Sequence, residues 1–72
     1  MKYLHSDPHI MGGDLVIKGT RIAIATIFHR MKDGHTLAEI HDMYRWVSID
    51  TLKGAIDEAI DLRFHARTPA HA

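Results

Sequence analysis

Seven histidines are the residues in this chain with the widest chemical range. Histidines hold a metal ion when two of them share one helix face at i, i+4, or when they join acidic residues at a set spacing. His5 and His9 have the first spacing, but the turn-forming pair Asp7-Pro8 lies between them. We therefore predict no metal site and no cofactor. If the histidines gain protons at about pH 6, the molecule becomes positively charged. The seven histidines are His5, His9, His29, His35, His41, His65 and His71.

Nucleophiles of the common enzyme classes are scarce. The chain has no cysteine and no glycine-rich phosphate loop, and its two serines, Ser6 and Ser48, stand where a turn and a helix cap are expected. A chain of 72 residues also has little material with which to enclose a ligand pocket of about 300 Å³. The sequence therefore predicts a protein that is not an enzyme.

Basic residues are the second group that could do chemistry. Nucleic-acid binding takes most of its affinity from Lys and Arg, which neutralise phosphates. Nine Lys and Arg against nine Asp and Glu give a net charge of zero, but residues 14–32 hold four cations and one acid, whereas residues 33–61 hold two cations and seven acids. The candidate DNA-binding residues are Lys18, Arg21, Arg45, Ser48, Thr51 and Lys53, and the candidate contacts for a basic protein partner are Asp57, Glu58 and Asp61.

Two kinds of element must position these residues. Val16-Ile17 and Thr20–Ile22, on either side of Lys18-Gly19, predict a tight hairpin or two short strands. Three helices follow. Apolar residues at helical spacing begin at Ile24 and stop at Gly34. Thr36 and Glu39 predict a capping box at the start of the second helix. Ser48 caps the third, whose apolar face is Ile49, Leu52, Ala55, Ile56, Ala59, Ile60 and Phe64.

The predicted fold class is α+β, a single domain over residues 1–72. It has a β element over 1–23, a three-helix bundle over 24–64 and a flexible tail over 65–72. The last two helices are close enough for a helix-turn-helix, although a plain bundle has equally short connections. We expect Tyr44 and Trp46, in the break between them, to be core or dimer contacts. Because so short a chain buries little surface, we expect a cytoplasmic homodimer paired through its N-terminal strands.

The most distinctive sequence is Asp7-Pro8-His9-Ile10-Met11-Gly12-Gly13 followed by Val16-Ile17-Lys18-Gly19-Thr20-Arg21-Ile22. This pattern resembles the signature of the prokaryotic family called "domain of unknown function 433". The resemblance implies a dimeric protein whose helices are homeodomain-like. Many members look like antitoxins of type II pairs (VapB-type), which bind their own promoter and neutralise a PIN-like nuclease. The chain departs from the family where Leu15, Ala23 and Arg45 replace prolines.

Two functional hypotheses follow. The first is an antitoxin-like dimer that binds double-stranded operator DNA and a nuclease toxin, and the second is a protein-interaction adaptor with no DNA role. Arg21 has two interpretations of its own. In the first, its guanidinium is a bidentate hydrogen-bond donor to a phosphate or to a carboxylate of a partner. In the second, which we favour, it forms an ion pair within the chain with an acid of the third helix.

Overall fold

The computed structural model describes residues 1–6, 8–9 and 13–64. The predicted tail, 65–72, lies outside that part of the chain. Two short strands precede three helices, so the predicted α+β fold class is confirmed. The elements are β1 (Leu4–Ser6), β2 (Leu15–Ile17), α1 (Ile24–Lys32), α2 (Leu37–Met43) and α3 (Ile49–Phe64).

The two strands form an antiparallel sheet in which Leu4 is opposite Ile17 and Ser6 is opposite Leu15. The predicted tight hairpin around Lys18-Gly19 is present in part: the chain turns back so that the Ile17 amide donates to the Ile22 carbonyl at 2.9 Å, but residues 20–22 do not form a strand. The Thr20 hydroxyl donates to the Ile17 carbonyl at 2.7 Å and accepts from the Ile22 amide at 3.0 Å. These bonds close a turn, and Gly19 within it has the expected positive φ, 81°. Beyond the turn Ala23 forms an isolated bridge opposite Val16 of β2.

The ends of α1 and α2 follow local rules that the sequence displays. Gly34, with a φ of 97°, ends α1: its amide donates to the Met31 carbonyl and the His35 amide donates to that of Arg30. This pair of bonds is the Schellman arrangement. Both bonds of the predicted capping box are present, Glu39 N–H to Thr36 Oγ1 at 3.1 Å and Thr36 N–H to Glu39 Oε1 at 2.7 Å. These bonds to Thr36 hold the pKa of Glu39 below 4.5.

The core draws apolar side chains from every element. Its largest fully buried members are Leu4, Val16, Ile17, Ile27, Ile40 and Leu52. The apolar face predicted for α3 is only partly correct: Leu52, Ala55 and Ile56 are buried, whereas Ile49 and Ile60 are 41% and 39% exposed. Those two residues lie at the edge of the helix face that packs on α1 and α2, so the described chain covers them incompletely.

One acidic side chain of α3 fastens β1 to the helix. The Glu58 carboxylate accepts hydrogen bonds from the backbone amides of Lys2 at 2.8 Å, Leu4 at 2.9 Å and Tyr3 at 3.1 Å. We call this set of bonds the Glu58 latch. One helical turn earlier, the Tyr3 ring lies so close to Gly54 that an added Cβ would be 2.5 Å from it. A larger residue at position 54 would therefore force the Tyr3 ring to move.

The latch sets the ionisation of Glu58. Partial desolvation by itself raises the pKa of this carboxyl. The amides of Lys2, Leu4 and Tyr3 outweigh that effect, and the pKa lies below the ordinary value of 4.5. Because the folded state lowers this pKa, the stabilisation is present above pH 4.5 and is lost as the pH falls through the folded-state value.

We predict that Glu58→Gln lowers the Tm at pH 7 and speeds hydrogen exchange of the Leu4 amide, because an amide side chain offers one acceptor oxygen instead of two. The difference in Tm from the wild type should shrink as the pH falls below 4.5. Asp57→Asn removes the neighbouring, exposed acid and should leave both measurements unchanged. Equal Tm values for wild type and Glu58→Gln at pH 7 would contradict a stabilising latch.

Candidate nucleic-acid interface

A cavity of about 650 Å³ opens where the β2–α1 loop meets the turn between α2 and α3. We call it the Arg21–Trp46 cavity. Its lining residues are His5, Gly19, Thr20, Arg21, Ile22 and Trp46. β1 supplies the histidine, the tight turn after β2 supplies the central four residues, and the helix break supplies the tryptophan. The cavity therefore depends on all three segments being held in place.

Trp46 is 72% exposed, so the prediction that it lies in the core is wrong. The amide of Val47 donates to the Tyr44 carbonyl at 3.0 Å, which makes Arg45 and Trp46 the two outer residues of a turn. Val47 points inward and is buried, and Tyr44 packs half-buried against the core as expected. Tyr44 and Trp46 meet edge to face with ring centres 5.8 Å apart, which orients the indole without covering it. The predicted dimer contact stays a prediction.

Arg21 is exposed at the cavity, and no carboxylate of the described residues forms an ion pair with it. The expected internal pairing with an acid of α3 is therefore wrong. The physical reason is that Glu58, the acid of α3 that faces the strands, is already occupied by three backbone amides. A guanidinium exposed in this way retains its donors for an external carboxylate or phosphate.

Arg45 lies on the outer side of the same turn as Trp46. Its guanidinium is 3.9 Å from a carboxylate oxygen of Asp42, and both side chains are largely exposed, 79% and 70%. Exposed ion pairs of this length contribute about 0–1 kcal/mol, so a phosphate could displace this one. Ser48 and Thr51 instead cap α3: Ser48 Oγ accepts from the Thr51 amide at 3.1 Å and donates to its hydroxyl at 2.9 Å.

The remaining predicted cations lie in other surroundings. The Lys18 ammonium donates to the Met1 carbonyl at 2.9 Å. Lys53 lines a second cavity of about 300 Å³ together with Met31, His35, Leu37 and Ile56. Of the six residues predicted to bind DNA, Arg21 lines the Arg21–Trp46 cavity, and Arg45 precedes Trp46 in the turn. Ser48 and Thr51 form the cap that follows, whereas Lys18 bonds to Met1 and Lys53 lines the second cavity.

The acids predicted to meet a partner also divide. Asp57 and Asp61 are exposed on α3, whereas Glu58 has an internal role in the latch. Exposed apolar residues accompany the two free acids along the helix, among them Ile60. We call the surface of Asp57, Ile60 and Asp61 the α3 outer face. Its negative and apolar character suits a partner that is basic and partly apolar.

Within the described residues, no group of three His, Cys, Asp or Glu side chains could hold a metal ion. No helix among them has the length and apolar character needed to span a membrane. His5 and Trp46 were not among the predicted site residues. The signal for Trp46 was present in the spacing, because an apolar Val47 that turns inward leaves its neighbour on the outside of the turn. No local signal indicated His5.

We predict that Arg21→Gln changes the free energy of unfolding by no more than about 0.5 kcal/mol, because this side chain is exposed and has no ion pair among the described residues. Trp46→Leu should cost no more than about 1.5 kcal/mol, because the exposed indole loses its edge-to-face contact with Tyr44. Leu52→Ala, at a fully buried position, should cost about 2–5 kcal/mol in the same urea titrations. A loss of 2 kcal/mol or more for either surface variant, on that same scale, would show a structural role that the exposure of these side chains does not account for.

Comparison with known proteins gives one match. The family model described as "Protein of unknown function (DUF433)" matches residues 4–59. That range includes both strands, α1, α2, the Glu58 latch acid and all residues that line the Arg21–Trp46 cavity. Searches of curated proteins and of solved structures found no match. With more than half of its length matched, the chain belongs to the DUF433 family.

Proposed function

We propose that this protein is an antitoxin-like, dimeric DNA-binding regulator of a type II toxin–antitoxin pair. The observation that carries the DNA-binding part is the juxtaposition of Arg21 with the α2–α3 turn that bears Arg45. Arg21 and Trp46, the residue that follows Arg45, line one cavity, and neither arginine is committed to a strong internal ion pair. Such arginines position a duplex through its phosphates.

The helix pair limits how DNA could approach. In a helix-turn-helix the N-terminal residues of the second helix contact base edges, and in α3 these residues carry Ser48, Thr51 and Lys53. Further along, Asp57 and Asp61 would repel phosphates. We therefore place the duplex against the turn and the first turns of α3, with the acidic end of the helix directed away from the DNA.

The dimer belongs to the proposal because a lone two-stranded sheet has little stability of its own. Glu58 constrains how a second copy could extend the sheet. The Leu4 amide of β1 donates to Glu58, so that donor is not available to another strand. A partner strand would have to pair with β1 beyond Leu4 or with another edge of the β element.

The toxin-binding part is supported by the α3 outer face. A nuclease that binds nucleic acid presents basic residues near its active site, and acidic side chains flanking an apolar one complement such a surface. Because Asp57 and Asp61 lie on α3 and the two arginines lie at the turn, one chain could engage both partners. The neutral net charge equally fits an adaptor that binds protein without DNA, which the two experiments below separate.

We expect the protein to bind a duplex taken from upstream of its own gene, measured by fluorescence anisotropy at low salt. Arg21→Gln and Arg45→Gln should each weaken binding and reduce the slope of log K against log salt by about 1, as for one lost phosphate contact. Lys32→Gln removes an exposed charge of the same sign at the end of α1 and should have little effect. Absence of binding by the wild type at low salt would exclude the regulatory role.

We also expect the protein to co-purify with a small nuclease encoded by the adjacent gene and to inhibit it. Reversing the charge of the α3 outer face, by Asp57→Lys with Asp61→Lys, should abolish co-purification and leave duplex binding intact. Asp14→Lys, which reverses an exposed acid outside α3, is the matched control. Co-purification with no duplex binding would favour the adaptor, and inhibition by the double variant as strong as by the wild type would disprove this use of α3.

A further inference from the structure

We propose that the Arg21–Trp46 cavity binds one unpaired nucleotide of a single-stranded nucleic acid, with the base stacked on the Trp46 indole and a phosphate held by Arg21. This goes beyond the proposed function, which concerns duplex DNA and a protein partner. The observation that carries it is the combination of a largely exposed, oriented indole and a guanidinium without an acidic partner in one concave site.

The indole is arranged as a stacking platform. It is 72% exposed, and its edge-to-face contact with Tyr44 and its place in a hydrogen-bonded turn limit its motion. Leaving so large an apolar side chain in water contributes nothing to the stability of the described chain. Proteins that bind single strands stack successive bases on exposed aromatic side chains of this kind.

The charges around the indole select an anion. Arg21 lines the cavity, Arg45 is adjacent to Trp46 in the turn, and none of the cavity-lining residues is an acid. The planar guanidinium matches two oxygens of a phosphate. A cation and an exposed aromatic side chain in the same cavity fit a ligand that is both planar and negatively charged, and a nucleotide combines these two properties.

The polar atoms of the cavity offer little to distinguish one base from another. The Thr20 hydroxyl is engaged on both sides by its own turn, with Ile17 and Ile22. The other lining side chains with polar groups are those of Arg21, Trp46 and His5. We therefore infer that binding is sequence-tolerant, as is usual where stacking dominates.

Stacking on Trp46 requires a free base face. The cavity of about 650 Å³ is open to solvent, so a base could reach the indole from outside. The faces of bases in a duplex are covered by their neighbours, so a duplex can offer phosphates to Arg21 but no free base face to Trp46. Single-stranded and double-stranded ligands should therefore affect the indole differently.

The test uses Trp46 as its own reporter, because it is the single tryptophan of the chain. The full-length protein is titrated with a single-stranded oligothymidylate of about eight nucleotides, within the usual site size for such binding, and with a duplex of the same length. We expect the single strand to quench Trp46 fluorescence strongly, the duplex to quench it less, and inorganic phosphate and polyglutamate to leave it unchanged.

Variants are measured by anisotropy of a labelled single strand, which does not need the tryptophan. Trp46→Ala should weaken binding about tenfold, and Trp46→Phe, which keeps an aromatic face, should restore most of the affinity. Arg21→Gln should weaken binding and flatten its salt dependence, with Arg21→Lys intermediate. Circular dichroism melts establish that each variant is folded, and Lys32→Gln is again the control.

Several outcomes would overturn the inference. They are quenching by polyglutamate or inorganic phosphate equal to that by the single strand, quenching by the duplex alone, or unchanged affinity of Trp46→Ala for the single strand. Duplex binding is measured in parallel. Loss of single-strand binding with duplex binding intact overturns this inference alone, and the reverse result overturns the regulatory proposal alone.

Discussion

A single carboxylate holds the two ends of the described fold together. Glu58 of α3 accepts from three consecutive backbone amides at the start of β1, groups that would otherwise be unpaired at the edge of a very small sheet. β1 in turn fixes β2 by antiparallel pairing, and β2 leads into the tight turn that presents Arg21. The position of His5 and Arg21 at the cavity therefore depends on an acid that is not itself in the cavity.

The hydrogen bonds of Glu58 also affect which acidic side chains of α3 are exposed. With Glu58 committed to backbone donors, the exposed acids of α3 that remain include Asp57 and Asp61, while Arg21 is exposed at the cavity. The net charge of zero therefore does not mean that charges of both signs are paired with one another inside the fold.

Local structure was predictable wherever the determining residues are close in sequence. The capping box of Thr36 and Glu39 and the glycine end of α1 involve residues only a few positions apart, and both are present as expected. β1 was not predicted because it contributes one buried residue, Leu4, to a strand of three, too short for alternation to be visible. Its pairing with β2 and its latch to Glu58 are long-range contacts, which no local pattern encodes.

The candidate site divides in the same way. The cationic residues were identifiable by type, but their grouping was not, because Lys18 and Lys53 have environments set by distant parts of the chain. Arg21 was expected to form an ion pair with an acid of α3, but Glu58, the acid of α3 that faces the strands, accepts hydrogen bonds from backbone amides instead. Of the two expectations for Trp46, a place in the core is excluded because Val47 is the buried apolar residue of the helix break.

The Glu58 latch also imposes an order on the assembly of the protein. It joins residues 54 to 56 positions apart, and contacts of such separation form late because a long loop must close first. Because β1 precedes α3 in the chain, Glu58 cannot accept from the three amides until α3 has been synthesised as far as that residue. Until then the amides of Lys2, Tyr3 and Leu4 remain exposed, and the nascent chain carries an unfinished strand edge during the interval when it is most open to other chains.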